Sequence, residues 1–315
     1  MKQRHEIAAG EVGGTHEYLS DPRNELVLIY VNTNIVPRPE AKISVFDSGF
    51  LLGDGVWEGI RLHNGKLAFL DAHLQRLYHG ADALAIRIGL TPEQLTQKIY
   101  DTISANGMTS GVHIRLVVSR GLKVTPYQHP RANTGGASIV IIPEYKIASE
   151  DVKNRGIRLG TVSIRRGTTD TQDPRLNTLS KHNCIAACLE ADRLGYDEGL
   201  MLDVNGNVST CNSTNFFIVR DGEVWTSTGE FCLPGVTRAN IHRLCEENDI
   251  PVFQKDFRLE DVHSGDEAFV TGTFAGVIPV VEVDGHLLSD GKRGDMTLRL
   301  QQLYTGLMER ECPAA

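Results

Sequence analysis

Three turn dipeptides, Asn64-Gly65, Asn205-Gly206 and Asp221-Gly222, each lie between runs rich in β-branched and aromatic residues. A two-residue type I′ turn needs φ > 0 at both central positions, which Asn-Gly and Asp-Gly meet at low steric cost, so much of the chain is committed to antiparallel hairpins. GDGVWEGIRLHNGKLAFL reads as one such hairpin, closed at HNGK. LVLIYVN, KISVFD, VHIRLVVSRG and ASIVIIPEY are expected as further strands, with NIVPRPEA as a turn-rich connection. A second series follows: GIRLGTVSI, GLMLD, NVST, NFFIVR, EVWTS, PVFQKDF, EAFVTGT and IPVVEVDG. Helices interrupt these strands. AHLQRLYHGADALAI places Leu74, Leu77, Ala81 and Leu84 on one stripe, and TPEQLTQKIYDTISANG begins with Thr91 and has Gln94 three residues on, the capping-box spacing. Another helix should follow LPGVTR, and a last one should close the chain. The mixture predicts an α+β or α/β fold.

A chain of 315 residues with 41% apolar content is long enough for two cores. The polar stretch 1–25 reads as an N-terminal arm, 26–145 as a small α/β domain and 150–315 as a larger domain, with PEYKIASED as the linker. A net charge of -8 leaves no basic stripe to track phosphates, which argues against a nucleic-acid partner. No apolar run approaches the roughly 20 residues needed to span a bilayer, and the start MKQRHE lacks a signal-peptide core, so a cytoplasmic protein is expected. The six cysteines lack metal-ligand spacing; Cys184 and Cys188 read as small packing residues, and no metal is expected. Residues 121–136, rich in Pro and Gly, read as a loop of the kind that often serves as a lid.

Lys181 is the only lysine among the 101 residues between Lys153 and Lys255. It lies in RLNTLSKHNCIAACLEADRLGYDEGLMLD, which reads as a helix feeding into a strand. Around it stand GDGVWEGIR, HLQRL, EADRLGYDEGLMLDVNGNVS, STNFFIV, LPGVTR and TGTFAGVIPV. In that order and spacing they resemble the class IV aminotransferases, the fold-type IV enzymes of pyridoxal 5'-phosphate (PLP), over about residues 27–305. The resemblance implies a small α/β domain, a larger domain with a β-barrel-like core, PLP between them and a homodimer. It further implies an amino donor (an amino acid or a primary amine) and a 2-oxo acid acceptor as small-molecule partners.

By the same resemblance Arg76 of HLQRL reaches the PLP phosphate, and Thr273 of TGT offers it a hydroxyl. Gly235, Val236 and Thr237 open a helix after Pro234, and free N–H groups at such a start favour an anion. Lys181 is then the Schiff-base lysine and the base that moves the proton. Two departures from the family pattern stand out. Counted back from the shared EA-x-x-x-G segment, the usual lysine position falls near Leu176 or Asn177, about one helical turn before Lys181. A deletion, a true relocation and a loss of the cofactor lysine all remain open. Thr210 occupies the slot of the glutamate that pairs with the pyridine nitrogen, which weakens the ring as an electron sink and keeps open a PLP lyase acting by elimination. Arg61, Arg115 and Arg120 are candidates for a substrate carboxylate, because a planar fork suits a bidentate partner. Trp57 stands where relatives place an aromatic wall, and His113 where they place a tyrosine.

Overall fold

The protein is described by a computed structural model covering residues 13–314. These residues form two compact units. The first consists of residues 21–145, joined by 176–182 and by the chain from 308 onward. The second comprises residues 13–20, 146–175 and 183–307. Residues 1–12 of the expected arm lie outside the described residues.

The first unit is built on a six-stranded antiparallel sheet in the order Asn34–Pro37, Leu28–Val31, Ser138–Tyr145, Val112–Ser119, Gly55–His63, Lys66–Leu67. Alternation along the strands gives the sheet two unlike faces. Val56, Ile60, Leu62, Ile114, Leu116, Val118 and Ile141 are all buried in one core with Leu74 and Leu77 of the helix Leu70–Ala83 and with Leu95 and Ile99 of the helix Pro92–Ala105. The intervening positions Trp57, Gly59 and Arg61, paired with Val117, Arg115 and His113, point to the other face. The hairpin turn forms as expected, with Asn64 at φ 49° and Gly65 at φ 75°. The Thr91–Gln94 capping box is also present.

Several strand assignments differ from expectation. KISVFD is irregular, apart from a bridge at Asp47, whose carboxylate instead accepts from Gly49 N at the start of the helix Ser48–Leu52. The expected turn NIVPRPEA begins with the edge strand Asn34–Pro37, because the turn occurs earlier, with Asn32 at φ 58°. The loop 121–136 contains a small ladder, Leu122–Lys123 against Asn133–Thr134.

The second unit carries a curled nine-stranded sheet. Its main path runs Val208–Cys211, Glu198–Leu202, Ile157–Thr161, Gly276–Val283, Glu267–Gly272, Asn215–Arg220, Glu223–Thr226, Val252–Gln254. The path is mixed: Ile157–Thr161 runs parallel to both of its neighbours, whereas Glu267–Gly272 is antiparallel to both of its own. Its core contains Leu159, Leu200, Phe216, Ile218, Val270 and Ile278. The near-continuous burial of Glu198–Leu202, Val208–Cys211 and Asn215–Arg220 accounts for their lack of clean alternation. The helix Val236–Glu247 follows LPG as expected.

Candidate functional site

Lys181 does not lie on a helix. The expected helix begins one residue later, at His182–Leu194. Residues 177–179 are instead extended against the start of the strand Gly55–His63: Trp57 N donates to Asn177 O (3.0 Å) and Leu179 N donates to Gly55 O (2.9 Å). The Trp57 indole N–H reaches Thr178 O (3.1 Å). The sheet edge beside Gly55–Trp57 therefore captures the segment before Lys181, and backbone pairing takes the place of helix formation. Close approach requires Gly55, since a Cβ there would lie 2.5 Å from Val118 O and 2.6 Å from Leu179 Cδ1.

This pairing brings several expected residues together in the first unit. Lys181 Nζ donates to Asn177 Oδ1 (3.1 Å) and lies 5.4 Å from the centroid of the Trp57 ring. The Arg115 guanidinium stacks on the same ring at 3.7 Å, a favourable cation–π arrangement. Burial lowers the pKa of Arg115 from the ordinary arginine value, although Glu144 and Glu58 partly oppose this. His113 lies over Gly59, where a Cβ would come within 2.9 Å of its Nε2, and Arg61 is the cross-strand neighbour of His113.

Arg76 and Arg120 occupy different settings. Arg76 Nε and Nη2 both donate to the fully buried Glu58 carboxylate (2.8 and 2.7 Å), which also accepts from His73 Nδ1 (2.7 Å). Burial raises the Glu58 pKa, but the two hydrogen-bond partners and the guanidinium charge outweigh burial and hold it below the usual carboxylate range. Arg120 is held by Asp54 (2.6 and 2.9 Å) and by the carbonyls of Ala85 and Leu84. Both guanidiniums are thus oriented by carboxylates of their own unit.

In the second unit Gly235 is the N-cap of Val236–Glu247 and provides no side-chain cap, so the first-turn N–H groups are not satisfied by a capping side chain. A Cβ on Gly235 would stand 2.1 Å from Asn215 Oδ1, which explains why a glycine is needed there. Val236 and the buried Thr237 form the first turn. Asn215 is in register with Thr271, whose hydroxyl is buried without a hydrogen-bond partner. Thr273 lies in the turn just after that strand. Thr210 is buried in Val208–Cys211, and its hydroxyl donates to Thr214 O (2.7 Å). Sequence reasoning marked Asn177 only as a position near the usual lysine slot and gave no role to Thr271. Only the fold reveals that one amide faces the lysine and that one hydroxyl is left unpaired.

Comparison with known proteins places these residues in a family. The family model described as amino-transferase class IV matches residues 55–283, more than half of the chain. The branched-chain-amino-acid aminotransferase-like protein 2 of Arabidopsis thaliana is 38% identical over 288 residues, covering 91% of this chain and 51% of that protein. The chain spans about half the length of the two Arabidopsis relatives it matches. A putative branched-chain-amino-acid aminotransferase of Methanocaldococcus jannaschii is 35% identical over 277 residues, covering 88% of this chain and 94% of that one. Among solved structures, the Escherichia coli branched-chain amino acid aminotransferase superposes with a TM-score of 0.85 at 29% identity, covering 91% of this chain and 96% of that one. A T.th. branched-chain amino acid aminotransferase, solved in complex with N-(5'-phosphopyridoxyl)-L-glutamate, superposes with a TM-score of 0.83 at 29% identity and covers 92% and 95%. The architecture is that of fold type IV. By its matched segment, its relatives and its fold, this chain belongs to the class IV aminotransferases.

Proposed function

We propose that the chain is a PLP-dependent aminotransferase that moves an amino group from an amino acid or a primary amine to a 2-oxo acid. The observation that carries this reading is Lys181 Nζ, fixed against Asn177 Oδ1 and the Trp57 ring in a class IV chain. The residues present suit the cofactor: an amine, an uncapped twelve-residue helix start and a buried, unpartnered Thr271 hydroxyl. PLP, when bound, supplies an aldehyde carbon and an electron-withdrawing ring that acidifies the donor's Cα–H.

The chain's own residues do the rest. Lys181 Nζ would hold the cofactor and, once displaced by the donor's amine, would serve as the base that moves the Cα proton, with the reverse proton movement when the acceptor is aminated. In the first unit, Arg76, oriented by Glu58, serves as the phosphate arginine, while Arg115 and Arg61 receive the substrate carboxylate beside Trp57 and His113. Arg120 anchors the turn after its strand through Asp54, and any substrate contact it makes starts from that fixed position. In the second unit, Gly235, Val236, Thr237 and Thr273 offer phosphate donors. Thr210, uncharged and with its hydroxyl donating to Thr214 O, would be the residue at the pyridine nitrogen by the family slot it fills.

Addition of PLP to the purified protein is expected to give a visible band at about 410–430 nm, and an amino donor should bleach it. A protein that stays colourless would overturn the reading. The neutral Thr210 supports a second reading, a lyase working by elimination; release of ammonia without any acceptor would select it. Thr271→Val removes an unpaired buried hydroxyl at nearly constant shape, so the cofactor-free chain should gain roughly 1 kcal/mol of stability. The same variant should bind PLP more weakly, as an equilibrium titration would show.

The assembly proposed is a homodimer. Val45, Phe46, Phe50, Val124 and Tyr127 are exposed apolar side chains of the first unit, and the Lys123 N to Phe46 O bond (2.9 Å) ties their two segments together. A cytoplasmic location is also proposed, supported by the free thiols of Cys211, Cys232 and Cys245 buried inside the fold.

A further inference from the structure

The pairing that fixes Lys181 also fixes Asn177, and the second result is the more specific. Asn177 is 4% exposed. Its carbonyl accepts from Trp57 N (3.0 Å), and its side-chain Nδ2 donates to Trp57 O (2.7 Å). The Trp57 carbonyl can only accept, so the amide must present its NH₂ there and its Oδ1 on the opposite side. Oδ1 is the atom that receives Lys181 Nζ at 3.1 Å. A freely rotating asparagine could present either end to the amine, whereas this one has its orientation set by the strand.

We infer that Asn177 is a positioning residue for Lys181: through Trp57 it holds a neutral acceptor at the lysine amine and so fixes where Nζ stands and which of its protonation states is favoured. The inference rests on the reading of Lys181 as the working amine. The physical argument is one of flexibility and charge. A lysine has four rotatable bonds and a substantial rotamer entropy, so an amine that must meet one carbon gains from a preset partner. An amide oxygen accepts from both the ammonium and the amine but more strongly from the ammonium, without the large bias that a carboxylate would impose. The groups near the amine include the Trp57 face and, on that same ring, the Arg115 guanidinium, whose positive charge opposes a second cation. Glu58, the strand neighbour of Trp57, belongs to the opposite face and is engaged by Arg76 and His73. A neutral acceptor therefore puts Asn177 and Arg115 among the groups that set the balance between ammonium and amine.

The test measures the amine itself. Competitive acetylation with acetic anhydride at a series of pH values, followed by peptide mass spectrometry, gives the titration midpoint of Lys181 in the protein without added PLP. Asn177→Asp is expected to raise that midpoint by about one unit, a tenfold change in proton affinity, because a carboxylate favours the ammonium. Asn177→Ala is expected to lower it and to speed labelling, since the favoured acceptor is gone. The two variants move in opposite directions, so the loss of one to misfolding leaves the other decisive. Midpoints equal to that of the parent chain in the folded variants would overturn the positioning role. A parallel experiment with PLP present separates the two ideas: PLP should protect Lys181 from acetylation in the parent chain. Absence of protection would sink the reading of Lys181 as the cofactor lysine, whereas protection with unshifted midpoints would sink only the role of Asn177.

Discussion

Lys181→Ala should abolish the reducible yellow adduct with PLP and lower transamination by about 10²–10⁴-fold or more, since the variant loses both the amine that holds the cofactor and the base. The relevant measurements are the visible spectrum after PLP addition and the single-turnover bleaching of that band by an amino donor. Borohydride reduction followed by peptide mapping should place the label on Lys181 in the parent chain. The expectation rests on position: the amine is set by edge pairing of residues 177–179 with Gly55–Trp57, and the nearby Asn177 offers no second amine. Retention of a reducible adduct in Lys181→Ala would show that another lysine does this work. The fold should survive the substitution, because Lys181 is only partly buried and precedes the helix His182–Leu194.

The second large effect is on stability. Glu58→Gln should destabilise the first unit by roughly 3–5 kcal/mol, because it removes the counter-charge of Arg76 inside the fold and leaves an ion without its partner. Glu58 is fully buried, and Arg76 is only 11% exposed, so solvent does little to soften the loss. The pH dependence has a definite sign. The folded pKa of Glu58 is depressed, so its contribution is complete at neutral pH and above the unfolded carboxylate pKa, and it disappears as pH falls toward the folded value. Denaturant midpoints should therefore fall as the pH drops below the unfolded carboxylate range, about 4.3, in the parent chain and fall less steeply in Glu58→Gln. Equal slopes in both proteins would show that the cluster carries no ionic stabilisation. Since Glu58 also holds both Nε and Nη2 of Arg76, the variant should bind PLP more weakly if Arg76 meets the phosphate.

Much of this was legible in the residues. The Asn64-Gly65 turn, the Thr91–Gln94 capping box and the helix after LPG are local devices, specified by residues a few positions apart, and each forms as expected. The ordered motifs identified the family because their spacing extends over nearly the whole chain. KISVFD misled because its alternation has no partner strand at that place, and the carboxylate of Asp47 was better used to cap the next helix.

The surroundings of Lys181 could not be read in the same way. Propensity placed it on a helix, but the residues before it are held by carbonyls and N–H groups of a strand about 120 positions earlier. Likewise, nothing in HLQRL states that its arginine and histidine share one buried carboxylate, or in TGT that one hydroxyl lacks a partner. The sequence by itself determined most of the elements, the family and the identity of the one lysine available in its long window. Only the tertiary structure decided where that lysine points and what faces it, because those depend on hydrogen bonds and burial between segments that no local spacing relates.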